Sequence, residues 1–197
     1  FFGGDYGIYT TKPSPGWQFM MMDTYFEGQR KAAIRTQEAG LTIVRMQVKH
    51  VPTVIDINPN YIEKLFMQDC LFEDVKEQAI LVSLGDNAGN QISLKNIDCS
   101  NVPVLINYRG TNNKVEAKGK IYKVKAFMHG LQMDSLNADP VVKTNSDIEE
   151  LKVLPALPAE DIPDFPSMDT WVNLKSLDAK GYGKTDDTKE IQEAIDK

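Results

Sequence analysis

Gly40-Leu41-Thr42-Ile43-Val44-Arg45-Met46-Gln47-Val48-Lys49-His50-Val51 is the stretch that decides how this chain is read. Ile43, Met46, Val48 and Val51 set a template of apolar residues at an anchor and at three, five and eight positions beyond it. Met67, Cys70, Phe72 and Val75 repeat it, as do Leu94, Ile97, Cys99 and Val102. The frame extends backward to Met21, Thr24, Phe26 and Gln29, and forward to Ile121, Val124, Ala126 and His129. The anchors 21, 43, 67, 94 and 121 are 22, 24, 27 and 27 residues apart. Periods of this length mark stacked structural units. Met46-Gln47-Val48 and Ile97-Asp98-Cys99 alternate apolar with polar, the period of a strand with one buried face. Two helices per repeat would be broken too often by Asn, Asp, Gly and Pro. The reading is an all-β solenoid, a parallel β-helix with one coil per repeat. Its expected hand is right-handed, as parallel crossovers nearly always are.

Stacking like over like gives particular residues neighbours. The row two places after each anchor is Asp23, Arg45, Asp69, Asn96 and Lys123, expected to form a solvated ladder of opposite charges or part of a sugar-binding face. Cys70 and Cys99 fall at different template points, which predicts two buried free thiols, a disulfide being the alternative. Asp56, Glu73, Asp74, Glu77 and Asp98 read mostly as solvated surface carboxylates.

The 197 residues are 42% hydrophobic and 25% charged, enough for an ordinary core. A net charge of −6 argues against a nucleic-acid partner, whose binders carry basic patches. No run of 18 apolar residues is present to span a membrane. His50 and His129 are too few and too scattered for a metal site, and no cofactor is expected. The chain opens on Phe1-Phe2-Gly3-Gly4 and is expected to be an excerpt of a longer protein.

Three regions are expected. Residues 1–135 carry the coils, with turn chemistry in Gly85-Asp86-Asn87-Ala88-Gly89-Asn90. Residues 136–168, with five of the ten prolines and many acidic residues, read as an extended linker. Residues 169–197 begin something new: Val172-Asn173-Leu174 as a short strand, then a helix started by Asp187 with Glu190 as its capping pair. Ile191, Ala194 and Ile195 share a face of that helix, suited to covering the open end of a solenoid.

The segment from Val172-Asn173-Leu174 through Ala179-Lys180-Gly181-Tyr182-Gly183-Lys184-Thr185-Asp186-Asp187-Thr188 to Ile191-Gln192 and Ala194-Ile195-Asp196 resembles the opening of pectate-lyase-superfamily β-helices. It departs from that pattern at Leu177-Asp178, where an aromatic and a glycine are usual. Gly4-Asp5-Tyr6-Gly7-Ile8, Trp17-Gln18-Phe19 and Phe26-Glu27-Gly28-Gln29 with Ala32-Ala33-Ile34 are similar to the first β-helix of the tandem β-helix β-1,3-glucanases of glycoside hydrolase family 55. The resemblance implies a secreted, extracellular or periplasmic hydrolase that inverts its β-glucan substrate without a metal, in a cleft between two β-helices. It also implies that the catalytic acid lies in the second β-helix, beyond this segment, so no catalytic residue is assigned here. Tyr25, Gln47 and outward-facing Asp98, sharing a row with Leu71, are the expected sugar contacts, the alternative being that this row packs against the second β-helix domain. Trp17 is expected either to stack on a sugar ring or to be buried or at an interface. The same fold also serves tail-spike or adhesin-like binding proteins and calcium-dependent polysaccharide lyases, although no acidic cluster for calcium is evident.

Overall fold

A computed structural model describes residues 1–11, 18–156 and 166–196. The chain divides into two units, Phe1–Glu160 and Asp161–Lys197.

The first unit is the solenoid. Its strands are β1 (Tyr6–Tyr9), β2 (Phe19–Met22), β3 (Tyr25–Glu27), β4 (Ala32–Thr36), β5 (Leu41–Val44), β6 (Gln47–Lys49), β7 (Thr53–Ile57), β8 (Lys64–Gln68), β9 (Leu71–Glu73), β10 (Gln78–Val82), β11 (Gln91–Ser100) and β12 (Val104–Tyr108). Then come β13 (Lys114–Glu116), β14 (Ile121–Gln132) and β15 (Val141–Glu150). A six-stranded sheet orders them β1-β4-β7-β10-β12-β13. A larger sheet runs β2-β5-β8-β11-β9-β6-β3, because β11 is long enough to pair with β8 along its first half and β9 along its second. From β1 to β12 every pairing is parallel, so the expected parallel β-solenoid is present.

Like side chains stack inside it. Ile8, Ile34, Ile55, Ile80 and Ile106 form one column with Val115 at its end. Met21, Ile43, Met67 and Leu94 form a second, and Phe26, Val48, Phe72 and Cys99 a third. A fully buried branched or aromatic side chain contributes about 1.5–3 kcal/mol by leaving water, and each coil supplies its neighbour with that burial.

The spacing of the template has a backbone cause. Asp23, Arg45, Asp69 and Asn96 all have φ between 51° and 55°. So do His50 and Asn101, at 54° and 55°, with Asp74 at 52° and Gly28 at 73° in the same row. Two bends of each coil therefore turn at a left-handed residue, two and seven places after the anchor. A third bend, between β4 and β5, β7 and β8, and β10 and β11, carries Glu38, Asn60 and Leu84 in the same conformation. Such a residue moves the next side chain to the other face and breaks strict alternation, which produces the spacing of three, two and three. A non-glycine residue there costs about 1 kcal/mol.

The fifth copy of the frame is not a coil. After β12 the chain reverses at Gly110, whose φ is 75°, and β13 runs antiparallel to β12. Next, β14 runs antiparallel along the whole of β11, from Ser100↔Ile121 to Gln91↔Gly130. The apolar spacing of Ile121, Val124 and Ala126 fits a strand of either direction, so it misreports the pairing. The expected linker beginning at 136 is also corrected: β15 pairs with β14 and puts Ile148 into the core. Coils thus end at β12, and the antiparallel strands β13 and β15 become the edge strands at that end of the two sheets.

In the second unit, Val172-Asn173-Leu174 is not a strand. Short 3₁₀ turns occupy Met168–Thr170 and Leu174–Leu177, followed by α1 (Thr188–Ile195). The expected Asp187–Glu190 cap is replaced. Asp186 accepts from the Thr188 amide at 3.0 Å, while Asp187 ties back the loop through the Lys180 and Gly181 amides at 3.0 and 2.8 Å. Hydrogen bonds from the Thr188 hydroxyl and amide hold the Asp186 carboxyl below its ordinary range, and those from Lys180 and Gly181 do the same for Asp187.

Candidate ligand-binding face

Tyr25, Gln47, Leu71 and Asp98 do share a row, each opposite the next. They do not form one open surface. Asp98 is buried, because β14 lies beside it and Lys123 reaches its carboxylate at 3.1 Å. An outward-facing sugar contact at Asp98 is therefore corrected to a buried ion pair. Leu71 is buried as well, and the Tyr25 hydroxyl donates to Glu27 at 2.8 Å, which raises the Tyr25 pKa. Trp17 lies outside the described residues.

The polar row forms a ladder, more sheltered than expected. Arg45 donates to both oxygens of Asp23 at 2.6 and 2.8 Å, Asn96 donates to Asp69 at 2.6 Å, and Lys123 donates to Asn96 at 2.6 Å. Its last rung is supplied by an antiparallel strand. The Arg45 hydrogen bonds hold Asp23 below its usual value. Burial pushes Asp69 up, but its hydrogen bonds from Asn96 and Gln68 outweigh that and leave it lowered. At the second bend His50 sits 3.1 Å from Glu27 and 3.3 Å from Asp74, and Asn101 donates to Asp74 at 2.6 Å. These rows are occupied by their own partners. Side chains forced into a left-handed backbone are repaid by bonding along the stack.

Carboxylates read as solvated surface also have partners. Glu73 pairs with Lys49 at 2.7 Å. On the six-stranded sheet, Asp56 pairs with Arg35 at 3.5 Å and Arg109 at 2.5 Å, yet burial still raises its pKa. Cys70 and Cys99 are free and buried, as expected, and burial pushes the Cys70 thiol up to about 12 and raises Cys99 as well. His129 is buried, with Nδ1 2.8 Å from the Thr144 hydroxyl and 3.1 Å from that of Tyr108, and Nε2 2.8 Å from the Gly85 carbonyl oxygen. Among the described residues no group of three His, Cys, Asp or Glu could hold a metal ion.

The open surface is elsewhere, on the outer face of the larger sheet. One place before each anchor the side chain points outward: Met20, Thr42, Phe66 and Ser93. Met128 and Asn145 extend that row across β14 and β15. A groove of about 770 Å³ crosses the face, lined among others by Gln18, Thr42, Lys64, Phe66, Gln91, Ser93 and Met128. A second depression of about 400 Å³ shares Phe66, Ser93 and Met128 and continues to Asn145, Ser146 and Asp147. Gly130, in the groove lining, lies too close to the neighbouring strand for a side chain, since a Cβ there would meet the Asn90 carbonyl oxygen at 2.7 Å.

One wall is set by a buried carboxylate. Glu63 accepts from the amides of Ala39, Gly40 and Lys64 at 3.1, 2.8 and 3.0 Å and from the Thr36 hydroxyl. Its own amide donates to Asn90 at 2.9 Å, and Asn90 donates to the carbonyls of Ser83 and Leu84 at 2.9 and 2.6 Å. Glu63 therefore organises the third bend of the coil. The repeat itself held the signal for Met20, Thr42, Phe66 and Ser93, but sequence reasoning followed the row after the bend instead.

Compared with known proteins, the chain matches no family model and no curated sequence.

Proposed function

We propose that this chain is part of a secreted carbohydrate-active enzyme, a glycoside hydrolase that cleaves β-1,3-glucan with inversion. On this reading the catalytic acid lies in a second β-helix beyond this segment. The observation that carries it is the mixed groove on the larger sheet. It offers a flat apolar ring, Phe66, among neutral hydrogen-bonding side chains such as Gln91 and Ser93. Aromatic faces accept the C–H face of a pyranose, while amides and hydroxyls answer its hydroxyl groups. The resemblance of residues 171–196 to a β-helix opening supports the same reading, because it supplies the second helix. Inversion needs an acid and a base on opposite sides of the sugar, with room for a water.

The test is reducing-sugar release from laminarin by the intact protein, with the anomer of the first product read by NMR. The expected result is release of the α-anomer. An intact protein that cleaves no polysaccharide ends this reading.

A further inference from the structure

We infer that the groove centred on Phe66 is a holding site: it binds a neutral oligosaccharide lying across the strands and does not cut it. The inference rests on the proposed carbohydrate function and assigns the part this face plays in it.

Size and shape come from the sheet. The row Met20–Thr42–Phe66–Ser93–Met128–Asn145 crosses six strands. Five spacings of about 4.8 Å make it about 24 Å long. That is the footprint of an oligosaccharide, not of one sugar. Phe66 sits where the two depressions meet, so a chain stacked on its ring extends into both. Gln91 and Ser93 offer partners on one side, and Asn145, on the outward face beside Met128, offers one on the other. The ligand is uncharged because the lining offers no cluster of one sign: Lys64 and Lys95 stand against Glu38 and Asp147.

The absence of cutting also follows from position. Of the carboxylates lining these depressions, Glu63 is fully buried and accepts from four donors, which leaves it no role toward a sugar. Glu38 precedes β5, and Asp147 lies on β15, four strand spacings away. Across the sheet that is about 19 Å. An inverting pair stands about 6.5–9.5 Å apart. These two cannot share one glycosidic bond.

The test is calorimetric titration of the 197-residue chain with laminarin oligosaccharides and, separately, with cello-, xylo- and manno-oligosaccharides. Reducing ends are assayed in the same samples. Binding without release is expected, weakened about tenfold or more in Phe66→Ala and largely kept in Phe66→Tyr, which retains a ring. The melting temperature of each variant separates lost binding from lost folding. Laminarin bound equally by the chain and Phe66→Ala overturns the inference and leaves the glucanase reading standing. Binding of another neutral glycan through Phe66, with none of laminarin, supports the holding site and removes the β-1,3-glucan reading. No binding of any of the four, or release of reducing ends by this chain, overturns the inference.

Discussion

The coils between Leu41 and Tyr108 and the segment 166–196 both carry amphipathic patterns, and only the coils bury theirs. Ile43, Met46, Val48 and Val51 are all fully buried. In the second unit neither 3₁₀ turn nor α1 has a buried residue, and Ile191 and Ile195 are 45% and 72% exposed. The difference lies in the source of the burial. A coil finds its cover in the next coil, at the same template position, whereas an eight-residue helix has only the apolar stripe and must find a surface elsewhere. A repeat thus carries its own partner, and a single amphipathic helix does not.

The sharpest way to break this comparison is at Glu63. Glu63→Ala strips the acceptors from three backbone amides in the third bend, each costing about 1–3 kcal/mol when left unpaired, so a loss of about 4 kcal/mol is expected in urea denaturation. A loss below about 1 kcal/mol would mean that water replaces the carboxylate. Next is Ile55→Ala, in the middle of the isoleucine column, with an expected loss of about 3 kcal/mol. Ile191→Ala, at a nearly half-exposed helix position, should fall within about 0.5 kcal/mol of the parent. If these two isoleucines cost the same, the contrast between the regions is lost.

The bend ladder allows a finer test by pH. The folded state holds Asp23 below its unfolded value through Arg45, so the pair stabilises fully above the unfolded carboxylate range near about 4. That stability fades as pH falls through the lowered folded value. Arg45→Met should therefore melt below the parent at pH 7, with the gap closing as pH falls below 4. A gap that stays constant would show that Arg45 acts through packing alone. The smallest effect is expected at the thiols. Cys70 and Cys99 should resist a thiol reagent in the folded chain at pH 8 and react fully in denaturant, because burial keeps both protonated and covered.

Much of this was legible in the repeat. The inward columns, the parallel stacking and the polar row at the bends follow from the four copies of the template anchored at Met21, Ile43, Met67 and Leu94. The row's chemistry was legible too, down to Arg45 beside Asp23 and Asn96 beside Asp69. Two readings failed for related reasons. An apolar spacing gives a strand's buried face but not its direction, so β14 passed for a coil. Asp98 passed for an exposed residue because alternation along β11 says nothing of what lies beside that strand. The stretch from 136 was read from prolines and acids, while Val141, Val142 and Ile148 supplied enough for an edge strand.

By itself, then, the sequence determined the unit that repeats, because burial of one face and the left-handed bends are local demands on each coil. Where the repetition stops was decided only by the tertiary structure, since a strand's direction depends on the path by which the chain returns to the sheet. The location of the open face was decided there too. Met20, Thr42, Phe66 and Ser93 are outward in every reading, but only the course of β14 and β15 extends their row with Met128 and Asn145, while the neighbouring row closes over Asp98.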